Sequence, residues 1–129
     1  MTSTDQPKET EAIGFIHMKA DTIRMIKENE QGLGEVIALA ETAGIHAVHK
    51  AHELIPHILQ PSDAEITLKT SIYPNGIEAK VRLRAMAPAS IESEALLAIA
   101  TCLVSLFEMC RPVDASMVVS DIRLIRAAH

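Results

Sequence analysis

Two stretches of the chain alternate so regularly between apolar and polar positions that they predict strands. In residues 64–73, Ile66, Leu68 and Ile72 fall on one side and Glu65, Thr67, Lys69 and Ser71 on the other. In residues 77–85, Ile77, Ala79, Val81, Leu83 and Ala85 alternate with Glu78, Lys80, Arg82 and Arg84. Between them, Asn75-Gly76 reads as the left-handed pair of a two-residue hairpin turn. Elsewhere the period lengthens. Val36, Ile37, Leu39, Ala40, Ala43, Ala47, Val48, Ala51 and Leu54 predict a long helix, which Pro56 stops because proline disfavours helix at the residue before it. Residues 89–111 carry Leu96, Leu97, Ile99, Ala100, Leu103, Val104, Leu106, Phe107 and Cys110 at the spacing of a buried helix, and Pro112 ends it.

The flanking segments complete the order. The apolar run Ile13-Gly14-Phe15-Ile16-His17-Met18 suits a strand, residues 21–27 a short helix broken by Gly32 and Gly34, and residues 117–126 a final strand rich in Val and Ile. Residues 1–12, polar with Pro7 and mixed charge, read as a disordered lead-in to a single domain over residues 13–129. The succession strand, helix, strand, strand, helix, strand predicts an α+β fold of ferredoxin-like βαββαβ type. Two helices cover one face of an antiparallel sheet, with the short N-terminal helix as an extra. The other face, with the charged rows of the hairpin, must meet solvent or another subunit.

Composition then narrows the chemistry. At 129 residues the chain suits one domain with a real core. Aromatic residues make up only 2%, so stacking on bases is an improbable mode of action, and a net charge of −5 argues against a nucleic-acid partner. Any phosphate binding must be local. Cys102 and Cys110 lie in one predicted helix, about 12 Å apart along its axis, and cannot bridge each other. Two core thiols in a reducing compartment are expected. No apolar run approaches the roughly 20 residues needed to cross a membrane and the N-terminus has no signal-peptide core, so no membrane partner and a cytoplasmic location are expected.

Several familiar site patterns are weak. Gly32-Leu33-Gly34 lacks the further glycine, the lysine and the preceding strand of a phosphate loop and reads as a helix break. His46 and His49 are helix neighbours, as are His49 and His52, but His46 and His52 are rotated by roughly 120°, poor geometry for a three-ligand site. No metal and no cofactor are expected. No serine has the setting of a nucleophile elbow, and neither cysteine looks activated. What remains are the carboxylates at the ends of the helix at 89–111 and the loop after Leu54-Ile55-Pro56. For Glu92, Glu94 and Arg111 the plain reading is complementation of the helix dipole; the other is a pocket.

Gly34-Glu35-Val36, Ala43-Gly44-Ile45, Glu53-Leu54-Ile55-Pro56, Ile91-Glu92-Ser93-Glu94-Ala95-Leu96, Glu108-Met109-Cys110, Met117-Val118-Val119 and Ile122-Arg123-Leu124 recur in an order and spacing that resemble the MoaC family. These are the cyclic pyranopterin monophosphate synthases of molybdenum cofactor biosynthesis. The resemblance implies a ferredoxin-like core, assembly into homo-oligomers from dimer to hexamer, and an active site at a subunit interface. It implies a small-molecule nucleotide or pterin as ligand: a cyclised dihydroguanosine triphosphate, converted by a lyase-type reaction with release of pyrophosphate. The family's two acids fall on Glu92 and Glu94, with Ser93 in place of the usual methionine between them, and the family's aspartate falls on Glu108. The loop's histidine is matched by Gln60, with His57 as a possible substitute, and these residues would help bind substrate.

Two departures fall on the chemistry. The family's general acid/base lysine is Arg111 here, and the lysine before Gly-Asp is Leu33; a guanidinium stays protonated and an aliphatic side chain has no proton to give. Two readings follow. In one, a divergent synthase uses Glu92, Glu94 and Glu108 for proton transfer while Arg111 helps hold the triphosphate. In the other, a catalytically silent relative binds a nucleotide or pterin, or serves as an assembly subunit.

Overall fold

The computed structural model describes residues 6–86 and 91–127. Its elements are β1 (Lys8–His17), α1 (Ala20–Lys27), α2 (Val36–Leu54), β2 (Glu65–Tyr73), β3 (Gly76–Ala85), α3 (Ile91–Cys110) and β4 (Val118–Arg126). The strands form one antiparallel sheet in the order β2-β3-β1-β4, the ferredoxin-like arrangement expected. Ala89 and Ser90, expected to open α3, lie outside the described residues.

Period-two burial decides which face is covered. Thr10, Ala12, Gly14 and Ile16 of β1 and Ile77, Ala79, Val81, Leu83 and Ala85 of β3 are buried beneath the helices. Lys80, Arg82 and Arg84 of β3 stay exposed on the opposite face. The helices pack closely because glycines let them. A Cβ at Gly44 of α2 would lie 2.8 Å from the Ala98 carbonyl oxygen of α3, and one at Gly14 would lie 2.7 Å from the Ile99 side chain. α3 is therefore enclosed by β1, β3 and β4 on one side and by α2 on the other.

That enclosure corrects the expectation that no apolar run approaches membrane-spanning length. α3 has 20 residues with a mean hydropathy of 1.6, long and apolar enough by length and composition to cross a bilayer. Its hydrophobicity is explained by burial on both sides: Ile91, Ala95, Ala98, Ile99, Cys102, Leu103, Leu106 and Cys110 all belong to the core.

Two further expectations shift. The first strand begins at Lys8 rather than Ile13, because residues 8–12 pair with β3 and residues 11 and 12 also with β4. The hairpin loop is Pro74-Asn75, since Tyr73 pairs with Gly76. Among the described residues positive φ occurs at Asn29, Gln31, Gly32 and Asp121, not at Asn75 or Gly76. Pro74 sets a negative φ at the first central position, which the left-handed pair cannot tolerate. Gly76 serves close approach instead: a Cβ there would lie 2.2 Å from the Ile16 carbonyl oxygen. The Gly32 region is the expected helix break, with Asn29 Oδ1 accepting a hydrogen bond from Gly34 N–H at 2.8 Å.

Candidate functional site

α3 presents candidate residues at both ends. Glu92 and Glu94 occupy its first turn, where negative charge complements the helix dipole. Two steps along an α-helix rotate a side chain by about 200°, so the two leave the helix on opposite sides. Glu94 turns inward and is 3% exposed, Glu92 is half-buried, and Ser93 is exposed. The fold does not bring the two carboxylates into one pocket within the chain.

Glu94 meets the loop that joins α2 to β2. Ser62 Oγ donates a hydrogen bond to Glu94 Oε1 at 2.6 Å and accepts one from Ala64 N–H at 3.2 Å. Burial pushes the Glu94 carboxyl above its ordinary value; the Ser62 hydrogen bond opposes the rise, the charge of Asp63 adds to it, and His49 of α2 counters it. A buried acid and a hydroxyl thus meet between α3 and the loop, with the exposed His49 of α2 acting on the acid electrostatically. The same loop carries His57 and Gln60, both exposed, on either side of the buried Ile58, and Ala64 is its second buried apolar anchor.

At the other end of α3, Glu108 and Arg111 form an exposed ion pair at 3.2 Å. Such a pair is worth under about 1 kcal/mol, so either group can exchange its partner for a ligand at little cost. Glu108 follows Glu94 on the same helix by about 21 Å along the axis. A compact pocket on a single chain does not reach both. Leu33, expected at the second family lysine position, is 6% exposed and packs in the core.

Two residues that sequence reasoning missed hold this framework. Asp114 is 2% exposed: its Oδ2 accepts from Lys19 N–H and Thr22 Oγ1, both at 2.9 Å, and its Oδ1 from Ser116 N–H at 2.9 Å and Ser116 Oγ at 2.7 Å. Burial pushes this carboxyl up, but the hydrogen bonds from Lys19, Ser116 and Thr22 outweigh it and hold it at about 2. The Asp-x-Ser spacing is a local turn signal that could have found the Ser116 contacts. Glu41 of α2 accepts from both N–H and Oγ1 of Thr70 in β2. The thiols of Cys102 and Cys110 are buried and pushed up to about 12 and about 11 by that burial, so neither is activated. Among the described residues no group of three His, Cys, Asp or Glu is placed to hold a metal ion.

Comparisons with known proteins agree with this architecture. The fold is similar to the solution NMR structure of a de novo designed protein with ferredoxin fold, with a TM-score of 0.51 at 14% identity, covering 89% of this chain and 84% of that one. In sequence the chain is 31% identical over 121 residues to the cyclic pyranopterin monophosphate synthase of Thermoanaerobacter sp. (strain X514), covering 92% of this chain and 77% of that protein. The synthase of the same name from Heliobacterium modesticaldum is 32% identical over 123 residues, covering 94% of this chain and 77% of that protein. The model of the MoaC family matches residues 2–129, and with relatives of this identity and coverage the chain belongs to the MoaC family.

Proposed function

We propose that this protein acts in molybdenum cofactor biosynthesis as a cyclic pyranopterin monophosphate synthase. It would take a cyclised dihydroguanosine triphosphate and release pyrophosphate in a lyase-type reaction. The observation that carries the reading is the buried Glu94 carboxylate, which stands at an acidic position of the family motif and accepts a hydrogen bond from Ser62. Burial shifts Glu94 in the direction that suits a group giving and taking a proton near neutral pH.

The spacing along α3 supports a composite site. Glu94 and Glu108 meet at one reacting centre more readily if they come from different subunits, which favours a homo-oligomer, a dimer or a hexamer built from dimers. In such a site Glu94 meets the base or its pterin product and exchanges a proton with it, Glu92 on the other side of the turn serves only from another subunit, and Glu108 takes part in proton transfer. Arg111 stays a fixed positive charge for the phosphates, and Ser93, His57 and Gln60, all exposed in one chain, complete the substrate's surroundings. A cytoplasmic location fits two buried, unbridged thiols.

Family relatives spanning most of the chain favour this reading over a silent subunit. The test is direct. Purified protein given the cyclised precursor releases pyrophosphate; binding of the precursor without release would instead support the silent subunit.

A further inference from the structure

Six of the ten residues of the loop at 55–64 are exposed, with Leu59 88% accessible, yet one of its polar side chains reaches the buried acid of α3. We propose that Ser62 is a positioning residue for the reaction: its hydroxyl fixes the Glu94 carboxylate for substrate and ties the loop carrying His57 and Gln60 to the first turn of α3. The proposal rests on the synthase reading of Glu94.

The geometry leaves the hydroxyl little choice. A serine hydroxyl has one proton, and Ser62 Oγ already accepts from Ala64 N–H at 3.2 Å, so its proton goes to Glu94 Oε1 at 2.6 Å. An O–H···O contact of that length to a carboxylate is charge-assisted and about twice as strong as a neutral one. It also orients the group, since engaging Oε1 restricts rotation of the carboxylate and so fixes the direction of Oε2. Around the carboxylate, Asp63 of the loop disfavours its charge and His49 of α2 favours it. Ser62 is thus an uncharged contact that stabilises the ionised form without competing for the proton.

Three proteins decide the matter: wild type, Ser62→Ala and Ser62→Thr, each confirmed folded by circular dichroism and assayed for pyrophosphate release across pH. Ser62→Ala is expected to lower kcat roughly tenfold, the worth of one charge-assisted hydrogen bond, with KM little changed and the acidic limb of the kcat profile moved to higher pH. Ser62→Thr, which keeps the hydroxyl, is expected to restore both. A Ser62→Ala profile that superimposes on wild type, or a loss that the threonine variant shares in full, overturns the proposal. Carbon-13 NMR of the Glu94 carboxyl in the unliganded protein reads the same contact without turnover: its titration midpoint rises in Ser62→Ala, and an unmoved midpoint overturns the proposal. A wild type that releases no pyrophosphate overturns the synthase reading instead, so the two failures are distinguishable.

Discussion

Replacing Asp114 by asparagine should be among the most damaging single-atom changes in the protein. The carboxylate receives four donors, two on each oxygen. Asn presents an NH2 in place of one oxygen, so a donor faces either Lys19 N–H or Ser116 N–H, and a backbone N–H cannot reverse its role as the hydroxyls of Thr22 and Ser116 can. The folded-state value of about 2, against an ordinary 3.8, corresponds to roughly 2 kcal/mol of stability at pH 7. For a chain of 129 residues that is about 7 °C in Tm. Because the carboxyl sits below its unfolded value, this contribution is complete above about pH 5, about half remains at pH 3, and it vanishes as pH falls below 2. The chain has no tryptophan and one tyrosine, so far-ultraviolet circular dichroism in urea, at one fixed protein concentration, is the suitable probe. Asp114→Asn should lose about 2 kcal/mol at pH 7 and clearly less at pH 3. A loss under 0.5 kcal/mol at pH 7, or one equally large at both pH values, would refute the reasoning.

Other outcomes follow from the packing and the site. Gly44→Ala gains about 1 kcal/mol of helix propensity but forces a Cβ against the Ala98 carbonyl and Leu68, an overpacking cost of about 1–3 kcal/mol; urea titration should show a net loss, and a stabilised variant would contradict the close contact. Native Cys102 and Cys110 should resist an aromatic disulfide reagent at pH 8 and react only after denaturation; rapid native labelling would contradict their burial. Arg111→Lys, at an exposed position, should leave stability within about 0.5 kcal/mol and raise the rate of pyrophosphate release severalfold by supplying a group that can give up a proton; an unchanged rate would mean that proton transfer does not pass through this position. Leu33→Lys should instead cost roughly 3 kcal/mol, because it puts a charge into the core, and an unaltered melting temperature would argue against that burial.

Much of the fold was legible because β2, β3 and the two long helices carry their periods in local sequence. What failed was non-local or a contest between local rules. Lys8, Glu9 and Glu11 look like a solvated tail, yet β1 is an inner strand and pairing with β3 and β4 orders them. At the hairpin, Asn-Gly favoured one register and Pro74 imposed the neighbouring one. The site divides the same way. Glu94 was visible as part of an acidic motif, but Ser62 lies 32 positions away from it and Lys19 lies 95 positions from Asp114, contacts that no spacing rule connects. The pairing of Glu92 with Glu94 in one pocket fails within a chain because a helix, not an extended segment, carries them.

The central claim is a pyrophosphate-releasing site assembled from two subunits, and mixing two inactive variants tests it most directly. Glu94→Gln and Glu108→Gln should each lower pyrophosphate release by about a hundredfold or more when assayed alone. After subunit exchange, a mixture should regain up to about a quarter of the wild-type rate, because half the dimers pair one variant with the other and each of these holds one intact site. A mixture that has demonstrably exchanged subunits and remains as inactive as its parts would contradict the composite site.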